Sequence, residues 1–142
     1  MPLKYPVGPG TIVICDYETG FREPEMVKRR PAVVVSPRLP YRDGLCTVVP
    51  LSTTPPGRTL AYQCRLELPQ ELPEPFEGAV KWAKADMLAT VGLARLDLPR
   101  LERDRESGRR RYLTIRLSDA QFAEVRRCVL HALGMGSLTS HL

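Results

Sequence analysis

The sequence is poor in the residues that most often announce a site. Aromatic residues make up only 6% of the 142 residues, with a single tryptophan. There are two histidines, His131 and His141, both near the C-terminus. The four cysteines, Cys15, Cys46, Cys64 and Cys128, form no CxxC pair and stand apart from the histidines. A zinc site needs clustered ligands at short spacing, so none is expected, and the sequence calls for no cofactor. No GxSxG or P-loop pattern occurs. No apolar run approaches the roughly 18 residues of a membrane span, and the N-terminal stretch Met1–Pro6 holds no signal-peptide core. The expected compartment is therefore the cytoplasm, with the cysteines as buried, reduced thiols and no membrane partner.

What the chain does contain is short β-branched runs and basic charge. Hydrophobic residues make up 43% and charged residues 26%, an ordinary globular balance. The length suits one domain across residues 1–142, with a core from about residue 9 to 134 and flexible ends. Net charge is +5, and it is unevenly spread. Residues 1–99 hold 12 basic and 11 acidic side chains, whereas residues 100–142 hold 9 and 5. Such an excess suits a solubilising surface and a polyanion-binding patch equally.

Strand signals recur along the chain. Gly8-Pro9-Gly10 is a turn before Thr11 to Tyr17, a β-branched run that reads as a strand. Ala32 to Ser36 reads as a second, buried strand, and Leu45 to Leu51 as the third. Tyr62 to Leu68 alternates apolar and polar residues, as a half-exposed strand does. Ala79 to Lys84, Met87 to Val91 and Arg111 to Leu117 continue the series, while Arg100 to Arg110 reads as a charged loop and Leu93 to Leu98 as a short helical turn. One helix stands out. Ser118-Asp119-Ala120-Gln121 is a capping box, and Phe122, Val125, Val129 and Leu133 form an apolar stripe that Gly134 ends. About six or seven short, mostly antiparallel strands with a C-terminal helix predict a mainly β, small barrel.

Three features lie where loops meet strand ends. Arg30 follows Lys28 and Arg29 and precedes Pro31, which holds the arginine backbone extended for a bidentate grip on phosphate. Ser52, Thr53 and Thr54 follow a buried strand, and their hydroxyls suit either a phosphate oxygen or a turn. Lys84 and Asp86 stand two apart and so point to the same face of a strand. A cation beside a carboxylate serves acid–base work or, if exposed, a salt bridge worth about 0–1 kcal/mol. From spacing alone the bland reading of each is the stronger. Phe21 and Tyr17, near the first long loop, suit base stacking or the core.

These blocks, taken together, resemble the MazF/PemK toxins. Pro9-Gly10 before an apolar strand, Arg30-Pro31-Ala32-Val33-Val34-Val35-Ser36-Pro37, Val49-Pro50-Leu51-Ser52-Thr53-Thr54 and Val80-Lys81-Trp82-Ala83-Lys84-Ala85-Asp86-Met87 occur in the family's order. The later block resembles the PemK-like branch. The resemblance implies an SH3-like barrel, a homodimer, a cognate antitoxin, and a metal-independent endoribonuclease acting on single-stranded RNA. Operator DNA would be met only through the antitoxin complex. It places Arg30, Ser52, Asp86 and Lys84 at catalytic positions, with Thr53 adjacent. With RNA as the ligand, the candidate contacts read from the residues are Lys28, Arg29, Thr53, Thr54 and Phe21. Lys84 stands where that branch often has arginine. The loop 19–26 lacks the family's Gly-Ser-Glu segment, so no cut-site preference transfers. The alternative is a non-catalytic barrel that binds RNA, or a protein target in the manner of a topoisomerase inhibitor.

Overall fold

The β-branched run after the Gly8–Gly10 turn builds the first strand. In the computed structural model, which describes residues 1–142, β1 spans Ile12–Asp16. The next strands are β2 (Arg29–Val34), β3 (Leu45–Ser52), β4 (Gln63–Glu67) and β5 (Val80–Lys84). β6 (Ala89–Gly92) and β7 (Leu96–Asp97) complete the main sheet. All pairings are antiparallel, in the order β4-β5-β3-β2-β1-β7. β3 is the hub. One edge pairs with β2, and the other pairs first with β6 and then, at Leu51 and Ser52, with β5.

The expected barrel is a sheet that does not close. β7 is two residues long and β4 lies at the opposite end of the ladder, so the two edges never pair. The β4 edge is covered by helix α1 (Asp119–Ala132), whose Gln121 side chain donates to the Glu67 carbonyl at 2.6 Å.

Both faces of the central strands are buried, which explains their unbroken apolar character. Ile12, Val33, Val49 and Leu51 share one cluster with Leu66, Ala83, Val125 and Cys128. Val13, Cys15, Ala32, Val34 and Val48 point the other way, to Tyr17, Val91 and Leu96. Each fully buried valine or isoleucine contributes about 1.5–3 kcal/mol.

The helix starts as its sequence dictates. The Gln121 amide donates to Ser118 Oγ, and the Ser118 amide to Gln121 Oε1, both at 3.2 Å. Val125 and Cys128 are buried, with Phe122, Val129 and Ala132 packed beside them. Leu133 departs from the expected stripe. It caps the helix where the chain turns at Gly134 (φ 73°), and it is exposed.

Four other expectations need correction. The 100–110 segment is no loop but a hairpin, β8 (Arg100–Arg103) with β9 (Arg110–Tyr112), separate from the main sheet. The expected strand 111–117 keeps only its first two residues in that ladder, and beyond them Arg116 makes a lone bridge to Thr11. Lys84 and Asp86 do not share a strand face, because Ala85–Met87 winds into a 3-10 turn before β6. The helical turn expected over 93–98 covers only Leu93–Arg95 before β7 begins.

Candidate active site

Arg30 owes its position to β2 and to the turn that enters it. The Tyr17 amide donates to the Lys28 carbonyl at 3.0 Å, and Arg30 sits opposite Cys15 in the β1–β2 ladder. Lys28 takes a left-handed conformation (φ 72°), unusual for a lysine, which turns the chain into the strand. The half-buried Arg30 side chain donates from Nε to the Val27 carbonyl at 2.9 Å. That bond fixes the guanidinium and engages neither Nη atom.

Arg30 lines a cleft of about 310 Å³ with Lys28, Arg29, Thr53, Glu77 and Lys81. Lys28, Arg29 and Thr53 are exposed there. Ser52 is only 4% exposed, and its Oγ accepts the Thr54 amide at 3.1 Å. The hydroxyl beside Arg30 in this cleft is therefore that of Thr53. Thr54 is exposed but lines no part of it.

Lys81 was not singled out from the sequence as a site residue. It is 2% exposed, and its Nζ donates to the Phe76 and Glu77 carbonyls at 2.9 and 3.1 Å. Desolvation pushes its pKa down, and the charges of Glu77 and Glu71 push it back up in part. The signal was present: Lys81, Ala83 and Ala85 alternate onto one buried face.

Asp86 lies elsewhere. It is exposed, and it lines a second cleft of about 380 Å³ with Phe21, Glu25, Met26 and Met87. Met26 faces that cleft while Lys28 to Arg30 face the first, so the 26–30 segment runs between them. Lys84, half-buried at the end of β5 and opposite Gln63, makes no ion pair.

The two aromatic candidates separate. Tyr17 is fully buried, so it has no face for a base; burial raises its pKa, with Arg30 a minor opposing charge. Phe21 is half-buried, packs its ring against Tyr17 at 5.1 Å, and carries the Arg95 guanidinium 4.9 Å from its centre. Of the two, it alone borders a cleft.

Chemically, the first cleft is built for an anion. It joins a fixed arginine with free Nη donors, a hydroxyl and two exposed cations. The second offers a carboxylate beside an aromatic edge.

Residues 8–133 match the family of PemK-like, MazF-like toxins of type II toxin–antitoxin systems. The chain belongs to this family. Over 138 residues it is 30% identical to the uncharacterized protein YifN of Escherichia coli (strain K12), which spans 95% of this chain and 87% of that one. Among solved structures, an endoribonuclease from a mycobacterial species superposes with a TM-score of 0.58 at 21% identity, covering 91% of this chain and 92% of the other. MazF from Deinococcus radiodurans gives 0.57 at 23% identity, covering 93% and 100%. At such identities these two share the fold with this PemK-like, MazF-like chain. The family match takes in both clefts, from Phe21 to Ala89, together with β8, β9 and α1.

Proposed function

We propose that this chain is a toxin that cuts single-stranded RNA without a metal, using the RNA's own 2′-hydroxyl as nucleophile. The observation that carries the reading is the Arg30 cleft. Its guanidinium is held through Nε, its Nη donors are unengaged, and Thr53, Lys28 and Arg29 stand around it.

The 2′-oxygen attacks the adjacent phosphorus, the bond from phosphorus to the 5′-oxygen breaks, and a 2′,3′-cyclic phosphate and a 5′-hydroxyl result. Arg30 is too basic to take the 2′-hydroxyl proton, so its role is to stabilise the charge on the phosphorane. Asp86 is the proton acceptor. Because the two residues border different clefts, the scissile step straddles the 26–30 segment, with the phosphate on the Arg30 side and the attacking sugar, whose 2′-hydroxyl gives its proton to Asp86, on the side of Asp86 and Phe21. Lys84 donates to the leaving 5′-oxygen. Thr53 orients a phosphate oxygen, and Ser52 holds the turn that presents it.

Partners follow from the toxin–antitoxin family: a cognate antitoxin that restrains the activity, a second copy in a homodimer, and operator DNA only through the antitoxin complex. The cytoplasm, where RNA and antitoxin both occur, is the working compartment. No helix is long and apolar enough to cross a membrane.

The mechanism is tested with a cleaved RNA resynthesised with a single 2′-deoxy residue at the scissile position. The strand should stay intact at that site while its all-ribo counterpart is cut. Cutting of the deoxy strand at the same bond would exclude attack by the 2′-oxygen.

A further inference from the structure

The β8–β9 hairpin is the part of the molecule that the proposed cleavage chemistry leaves unused. Residues 100–112 hold six arginines against three acidic residues, a large share of the net charge in a short ribbon. Arg103 and Arg110 face each other directly across the ladder. Like charges at such positions repel, and a hairpin selected only for stability would avoid them.

Counterions from the chain itself do not relieve this repulsion. No carboxylate stands within 4.0 Å of Arg103, Arg105, Arg109, Arg110 or Arg111. Asp104 is turned inward to close the turn, accepting the amides of Ser107 and Glu106 at 3.0 and 2.8 Å. Those amide bonds, Ser107 first, hold its carboxyl below the usual range. Arg103, Arg110 and Arg111 each give one nitrogen to a backbone carbonyl of the hairpin, which steadies the side chain and leaves other N–H donors outward.

The ribbon is joined to the candidate site. Arg100, at its base, lines a cleft of about 540 Å³ with Lys28 and Arg29. Lys28 and Arg29 also line the Arg30 cleft. Glu18, Glu74 and Asp97 also line the larger cleft, and the Asp97 carboxylate pairs with Arg100 at 3.0 Å. Lys28 and Arg29 thus link the Arg30 cleft to the base of the ribbon, across a larger cleft whose cations and carboxylates are evenly matched.

We propose that the β8–β9 ribbon is a second RNA-binding site, which grips the backbone phosphates of a single strand several nucleotides from the cleavage point. This rests on single-stranded RNA being the substrate, as proposed above. The ligand chemistry is a row of phosphodiesters, because the free groups are guanidinium forks and the ribbon presents no aromatic face beyond Tyr112 at its end. The site adds affinity and length dependence without reading sequence.

The test uses a fluorescein-labelled, fully 2′-O-methylated RNA of about twenty nucleotides, which cannot be cut by its own 2′-oxygen. Its affinity is measured by anisotropy across a potassium chloride series for the wild type and for Arg103→Ala/Arg110→Ala. Each lost single-strand phosphate contact reduces the salt slope by about 0.7. The double variant should bind roughly tenfold more weakly at low salt, with the slope reduced by about 1.4. Arg58→Ala/Arg65→Ala removes the same charge from the cleft beside Trp82, and should lose much less. Arg103→Lys/Arg110→Lys, which keeps the charge, should retain most of the slope and guards against a folding effect. An unchanged slope in the alanine variant, or an equal loss in the Arg58/Arg65 control, would overturn the proposal. Because the probe is uncleavable, failed cleavage by the wild type on ordinary RNA would count against the nuclease reading alone.

Discussion

Arg30 is held by one hydrogen bond that leaves its fork free, and most of the proposed chemistry turns on that fact. Arg30→Ala should lower RNA cleavage by about a hundred- to a thousandfold, the usual loss for a preorganised donor to a developing anion. Its melting temperature should stay close to wild type. Arg30→Lys should recover little, since an ammonium lacks the planar fork. A second residue-scale prediction concerns Cys15, where burial pushes the thiol up to about 11 from 9.0. In the unfolded chain the thiol ionises near its ordinary value, whereas in the folded protein it stays protonated. Stability from this group is therefore full below pH 9 and falls as pH rises toward 11, by no more than about 3 kcal/mol. Urea unfolding of wild type and Cys15→Ala over that window should show the shallower pH slope in the variant. The extended backbone at Arg30 was legible in the sequence because Pro31 follows it, but spacing alone favoured a solvated charge there, and the family resemblance is what singled the side chain out. The separation of Arg30 from Asp86 was not, because it depends on a 3-10 turn at Ala85–Met87 that no glycine or proline announces after β5.

At the scale of elements, local chemistry and tertiary pairing divide what could be read. α1 was visible down to its first residue, since a capping box is a short-range signal that the chain itself satisfies. Ser118→Ala should cost about 1 kcal/mol, read from chemical denaturation, and should leave RNA cleavage unchanged. The central strands were equally visible, because β-branched residues packed on both faces leave an unbroken apolar run. The β8–β9 hairpin was hidden by its composition. Its ladder is built from exposed, charged residues, so no alternation marks it, and side-chain bonds from arginine to backbone carbonyls support it instead. The open edge of the main sheet was hidden for another reason: closure depends on whether β4 and β7 meet, and neither strand's sequence records the other.

Across the whole molecule, the fold gathers what the sequence keeps apart. The basic excess lies beyond residue 100 and the phosphate-binding motif lies near residue 30, yet Arg100 and Arg29 line one cleft. Membership of the toxin family, the Arg30 cleft and the arginine ribbon all favour a long anionic strand as substrate. The central claim is metal-independent cleavage of RNA by its own 2′-hydroxyl. Its most direct measurement is incubation of the purified protein with labelled single-stranded RNA in excess EDTA, followed by analysis of the product ends. The account predicts fragments with 2′,3′-cyclic phosphate and 5′-hydroxyl ends. RNA left intact, or cut to 3′-hydroxyl and 5′-phosphate ends, would contradict it.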